Sequence, residues 1–334
     1  MEQTQEEQLQ PEESFQNRID LSGVKASIEK VHSEVDKLLV GQEEMVELIL
    51  VSLIAGGHIL IEGNPGVAKT LTAKIIARTI SSDFSRIQFT PDLMPSDVTG
   101  TSVFNFKSSE FEFRKGPIFS NIILIDEINR SPAKTQAALF EVMEERQVTV
   151  DGSKYTLDEP FMIIATQNPI EMEGTYRLPE AQMDRFIFKI NVGYPSIEEE
   201  ILILKSKHDT NNTIDLARIE SVITPEELSY HKSLLPKVVV EEKLMKYIVE
   251  IVQKTRTYRD IAIGASPRAS IALLMGSKAY AMVRGRDYVI PDDIVDLVVP
   301  VLSHRITIIP EREMEGMSAV DVVKELIKSI EIPR

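Results

Sequence analysis

Residues 61–70 read Ile-Glu-Gly-Asn-Pro-Gly-Val-Ala-Lys-Thr, a spacing of glycine, lysine and hydroxyl that suits a phosphate chain. The apolar run 58–61 enters a turn containing Gly63, Asn64, Pro65, Gly66, Val67 and Ala68, and a helical pattern begins at Lys69-Thr70-Leu71. This is the strand–loop–helix layout of a P-loop. Glycines let the backbone turn tightly so that its N–H groups face an anion, and the helix adds the positive end of its dipole. Lys69 would sit on the β- and γ-phosphates and the Thr70 hydroxyl on Mg²⁺. The regular pattern has a second glycine where Ala68 stands; alanine tolerates helical backbone, so the cradle is expected to survive. The plain alternative is a Gly/Pro turn before an ordinary helix.

Four further places could do chemistry with it. Asp126 and Glu127 close the apolar run 121–125, and acids at the carboxyl end of a parallel strand lie where such sheets bind ligands. Asp126 would hold Mg²⁺, and Glu127 would activate water for attack on a γ-phosphate; the plain alternative is two acids that simply end a strand. Gln167 and Asn168 end another apolar run; an amide there either bonds the phosphate or attacking water, or caps a turn before Pro169. Arg185 stands at a helix end just before a strand. It serves either as an arginine finger on a neighbouring subunit or as the partner of Asp184 or another local acid. Arg268 falls in the first turn of a later helix, where a cation is unfavourable beside the dipole. A triphosphate or a surface acid would compensate it.

The surrounding pattern supplies elements to position these groups. Helical periodicity runs from Leu21 to Val40 and again over 43–55, broken by Gly41-Gln42. Strands are expected at 58–62, 86–90, 121–127, 161–168 and 185–192, with hairpins over 103–116 and 147–157, the second marked by Asp151-Gly152. Pro132 to Glu145 reads as a helix with Ser131 as N-cap and Pro132 at its first position. Beyond Gly193-Tyr194-Pro195 only helix starts appear. Ser196 with Glu199 and Thr224 with Glu227 form capping boxes, and Pro267 and Pro291 open two more helices. The expectation is a mobile acidic segment at 1–20, an α/β parallel-sheet domain at 21–194, and a smaller all-α domain at 195–334.

The chain has 334 residues, no cysteine and a formal net charge of −15. Disulfides, cysteine-ligated metal and thiol catalysis are excluded, and a reducing compartment such as the cytoplasm fits. A polyanion such as DNA would be repelled on average. The start has neither the basic nor the apolar stretch of a signal peptide, and no run is long enough to span a membrane.

Taken together, the stretches 40–47, 63–70, 113–152, 160–186 and 264–269 resemble the MoxR family of AAA+ ATPases, with the likeness covering about residues 20–310. That family commonly carries alanine at the place of Ala68; it usually has proline where this chain has Arg177. The resemblance implies a P-loop AAA+ sheet domain followed by a helical lid. It makes Gly63 to Thr70 the Walker A loop and Asp126-Glu127 the Walker B pair. Asn168 becomes sensor 1, Arg185 the arginine finger and Arg268 sensor 2. Gly41 and Gln42 fall on the segment that lines the adenine pocket, and Arg130 on an inter-subunit contact. The two hairpins match inserts that face the ring pore or a partner. It further implies ATP and Mg²⁺, a hexameric ring, and chaperone-like work with a von Willebrand factor A-domain protein. The expected site is closed by Arg268 of the same chain and Arg185 of the neighbour. Rival readings are a magnesium-chelatase-like motor subunit, a nucleic-acid motor, and a nucleotide-gated platform that does not hydrolyse.

Overall fold

A computed structural model describes residues 19–64, 66–168, 176, 178–209 and 215–333. Pro65, Arg177 and nearly all of the expected acidic tail lie outside the described residues. Two helices come first, α1 (Ser22–Val35) and α2 (Glu43–Ala55), followed by β1 (His58–Gly63), α3 (Lys69–Thr79) and β2 (Phe84–Gln88). A short α4 (Pro95–Thr99) leads into the hairpin β3 (Gly100–Asn105) and β4 (Glu110–Lys115). Then come β5 (Ile122–Asp126), α5 (Ala133–Glu145), the hairpin β6 (Gln147–Val150) and β7 (Ser153–Thr156), β8 (Met162–Gln167), α6 (Glu180–Met183) and β9 (Phe186–Val192). The remaining helices are α7 (Ile197–Asp209), α8 (Pro225–Leu234), α9 (Glu242–Thr255), α10 (Pro267–Val283), α11 (Pro291–Leu302), α12 (Pro310–Met314) and α13 (Ala319–Lys328). Two short strands, β10 (Ile261–Ile263) and β11 (Thr307–Ile308), pair antiparallel among them, so the later part is helical apart from this small ribbon.

Five strands form one parallel sheet in the order β2-β5-β8-β1-β9. Its central strands are near-continuous apolar runs because both faces are covered. On β8, Met162 and Ile164 face the core shared with α1, α2 and α3, while Ile163 and Ala165 face the core under α5. The first of these cores continues without a break into α9, α10, α11 and α13. The register sets the geometry that matters most: His58 lies opposite Phe186 and Gly63 opposite Val192. The sheet therefore has an amino edge, where Arg185 enters β9, and a carboxyl edge, where the P-loop leaves β1.

Several expected boundaries shift. α1 ends at Val35 because Leu38 and Leu39 both turn their N–H groups back to the Val35 carbonyl. β2 spans 84–88 rather than 86–90, ending before a turn in which Leu93 N–H bonds Thr90 O. Ser131 does not cap α5. Pro132 is the N-cap residue, and Ser131 Oγ is buried without a partner among the described residues. The capping boxes at Ser196–Glu199 and Thr224–Glu227 form as read. No helix among the described residues is long and apolar enough to cross a membrane.

His58, buried at the amino edge, makes stability depend on pH. Its Nδ1 accepts from Ile163 N–H at 3.0 Å and its Nε2 faces Met143 O at 3.3 Å, which fixes the neutral tautomer. Burial pushes its pKa down to about 4, partly opposed by the Met143 carbonyl and assisted by Arg146. The unfolded imidazole, at about 6.5, takes up a proton first. Stability is therefore full above about pH 6.5 and falls as pH drops toward 4, by on the order of 3 kcal/mol from this group. Urea midpoints measured between pH 7.5 and 4 should fall over this window, less steeply in His58→Leu; an equal slope in both proteins would contradict the assignment.

Candidate active site

Ala68 decides the shape of the loop. It sits at φ 58°, ψ 14°, in the left-handed region and not in the right-handed helical one expected from its sequence. Gly66 also has positive φ, at 89°. Left-handed residues at 66 and 68, just before α3, are the kind of backbone from which anion-binding nests are built. Such a conformation costs a non-glycine residue about 1–2 kcal/mol, a strain offset by the packing of buried Val67 and half-buried Leu71. Gly63 has another role: a Cβ there would stand 2.7 Å from Val192 O, so only glycine allows β9 this close.

Lys69 folds back so that Nζ donates to Gly63 O at 2.6 Å. Half-burial pushes its pKa below the usual lysine value, opposed by the charges of Asp126, Glu127 and Glu62. The P-loop cation and the strand-end acids are thus close enough to feel each other. Thr70 follows in the first turn of α3. Its hydroxyl and the Asp126 carboxylate are hard oxygen donors, the kind Mg²⁺ takes.

Asp126 is buried and accepts from Thr166 Oγ1 at 3.2 Å and from Arg86 Nε at 2.5 Å. Glu127 has left-handed backbone (φ 57°) and donates its N–H to Thr166 Oγ1 at 3.1 Å. Its carboxylate is held by Gln88 Nε2 at 2.8 Å and Arg130 Nε at 3.2 Å. Thr166, one strand over, therefore holds the backbone of one acid and the side chain of the other. Asn168 follows β8 directly and is buried. Gly41 and Gln42, both left-handed, form the turn before α2, and Gly41 packs against Glu199 at the start of α7.

The two remaining arginines lie elsewhere. Arg185 donates to Phe140 O at 2.6 Å and forms an ion pair with Glu144. Arg268 pairs with the same Glu144 at 3.1 Å. Asp184 does not pair with Arg185; it accepts from Arg305 Nε at 2.8 Å and Ser266 Oγ at 2.8 Å. Glu144 is at the end of α5 beside Met143, whose carbonyl faces His58, so both arginines stand at the amino edge. Five strand residues at about 3.3 Å each put the P-loop of the same chain roughly 16 Å away. Arg268, expected to close the site of its own chain, here has Glu144 as its partner and stands at the opposite edge from its own loop.

Residues 58–188 match the family described as "ATPase family associated with various cellular activities (AAA)", and residues 253–326 match the AAA lid domain. Chaperone MoxR1 of Mycobacterium tuberculosis is 41% identical over 92% of this chain and 83% of its own length. The chain belongs to the MoxR family of AAA+ ATPases. YeaC of Bacillus subtilis is 47% identical over 91% of the chain and 94% of its own length. A crystal structure of a Cytophaga hutchinsonii protein, 42% identical, superposes with a TM-score of 0.87, covering 94% of this chain and 97% of that one.

In this MoxR-family chain the structure gathers the P-loop, Asp126, Glu127 and Asn168 at the carboxyl edge, with the Gly41–Gln42 turn against α7 beside it. It gathers Arg185 and Arg268 on Glu144 at the amino edge. Sequence reading missed Gln88, Arg86 and Thr166, which hold the acids, Glu144, which holds Arg185 and Arg268, and Arg305, which holds Asp184. Gln88 carried no signal, since the expected strand 86–90 ran through it. Arg86 on an edge strand carried none.

Proposed function

We propose that this chain binds and hydrolyses ATP, and that it does so in a ring whose adjacent subunits each supply half of the site. The observation that carries this reading is the separation of the two halves: phosphate cradle and acids at one edge of the sheet, paired arginines at the other. Neither half is sufficient in one chain, and head-to-tail neighbours bring them together.

In this reading the loop N–H groups and Lys69 hold the triphosphate. Thr70 and Asp126 would hold Mg²⁺, which would supply positive charge to neutralise the phosphates. Glu127, aimed by Gln88, takes the proton of the attacking water, and Asn168 orients that water. The neighbour's Arg185 and Arg268 leave Glu144 and stabilise charge developing on the transferred phosphoryl group. Little covalent chemistry is asked of the protein; catalysis is positioning and charge stabilisation. Division into a sheet domain at 21–194 and a lid at 195–334, hexameric closure, a cytoplasmic site of action, and remodelling work with a von Willebrand factor A-domain protein complete the proposal. They rest on the family and on the MoxR1 relative, which is named a chaperone.

Lys69→Ala tests the cradle. The side chain is half-buried and, among the described residues, bonds a loop carbonyl, so the fold should persist while ATP affinity falls below calorimetric detection. Unchanged affinity would remove the site.

A further inference from the structure

α7 leaves the sheet at the nucleotide edge, and among the described residues nothing buries it. No described side chain in it is buried. Ile197, Ile201 and Leu204 are 75%, 46% and 69% exposed and recur at i, i+4 and i+7, one stripe of a helix. Tyr194 just before it and Leu202 beside it are exposed as well. Scattered apolar residues are ordinary on a surface, but a continuous stripe of this kind marks a contact.

We propose that this stripe packs against the Arg268 edge of a second copy of the chain, forming the apolar part of the subunit interface; the inference rests on the ring reading above. Its place in the fold supports it. The start of α7 abuts the Gly41–Gln42 turn, where a side chain on Gly41 would collide with Glu199. A neighbour whose Arg185 and Arg268 reach this P-loop must also arrive beside α7. That neighbour brings Ile271, one turn beyond Arg268 on α10, and Ile263 on β10, both large and exposed. Apolar groups therefore flank both halves of the composite site, on opposite edges of one molecule.

Charge selects the same occupant. The first turn of α7 carries Glu198, Glu199 and Glu200, and the facing edge brings Arg268 and the exposed Arg259. The chain's own N-terminal segment, with Glu2, Glu6, Glu7, Glu12 and Glu13, would be repelled by that turn, as would an anionic lipid surface. Head-to-tail contact between unlike patches also generates rings, whereas α7 packed on itself would stop at a dimer.

The absence of cysteine makes the test clean. In the full-length chain, Leu204→Cys combined with Ile271→Cys should give a ladder of disulfide-linked oligomers under mild oxidation, while each single variant stays monomeric on a denaturing gel. Separately, Ile201→Glu with Leu204→Glu should need at least tenfold more protein to assemble by sedimentation velocity with a non-hydrolysable ATP analogue. Circular dichroism and thermal midpoint should be unchanged, since neither side chain is buried. Dimers from Leu204→Cys alone would mean that α7 packs on itself and would overturn the proposal. So would assembly of the glutamate variant at wild-type concentrations, or a wild-type chain that binds the analogue and stays monomeric. A wild-type chain that assembles without binding the analogue would instead refute the ATP reading and leave the crosslinks to decide the interface.

Discussion

Arg185→Ala is expected to lower ATP turnover by about 10³-fold or more, the loss typical of a missing arginine finger, while ATP affinity should change only a few-fold. The asymmetry would follow because a finger guanidinium meets charge that develops only in the transition state. Arg185 at rest bonds Phe140 O and Glu144 at the amino edge, away from its own loop. Loss of these bonds could loosen α5, so turnover alone does not separate a catalytic from a structural role. Mixing does. Inactive Arg185→Ala subunits combined with inactive Lys69→Ala subunits should recover part of the activity, because some interfaces then pair an intact loop with an intact arginine. Mixed rings that exchange subunits and recover nothing would show that Arg185 serves its own chain.

Glu127→Gln should slow hydrolysis by roughly 10²–10⁴-fold, the worth of a general base, with ATP still bound. The amide keeps the size of the carboxylate and can still accept from Gln88 and Arg130, so the loop and Thr166 contacts remain. Single-turnover hydrolysis read beside equilibrium binding separates the two effects. A wild-type rate in this variant would take the base role away from Glu127.

The parts of this molecule that were legible in the sequence are those written in local patterns. The apolar runs gave the central strands of the sheet, and the spacing from Gly63 to Thr70 gave the loop. Asp151-Gly152 gave a hairpin whose strands are Gln147–Val150 and Ser153–Thr156. Side-chain partners were not legible, because they join residues far apart in the chain. Arg268 and Glu144 are separated by 124 positions, and Arg305 and Asp184 by 121; nothing local to either announces the other. The partner of Arg268 was not readable for this reason. A first-turn arginine asks for an anion, and the sequence could not say that Glu144 provides it. Ala68 shows a different limit. Its left-handed backbone is imposed by the loop around it, against its own preference, so only the glycine usual at that position hints at the geometry.

In the proposed ring, one acid holding two arginines would couple neighbouring subunits. Glu144 stands near the end of α5, and the same helix begins just beyond the Glu127–Arg130 turn, where Gln136 bonds the carbonyls of Ile128 and Ser131. A neighbour that draws the arginines away strips Glu144 of both counter-charges at once, and α5 is the rod joining that event to the chain's own acids. Firing in successive subunits would then be staggered rather than independent. The Hill coefficient for ATP should depart from one and return toward it in Glu144→Gln, whose neutral amide no longer registers the departure.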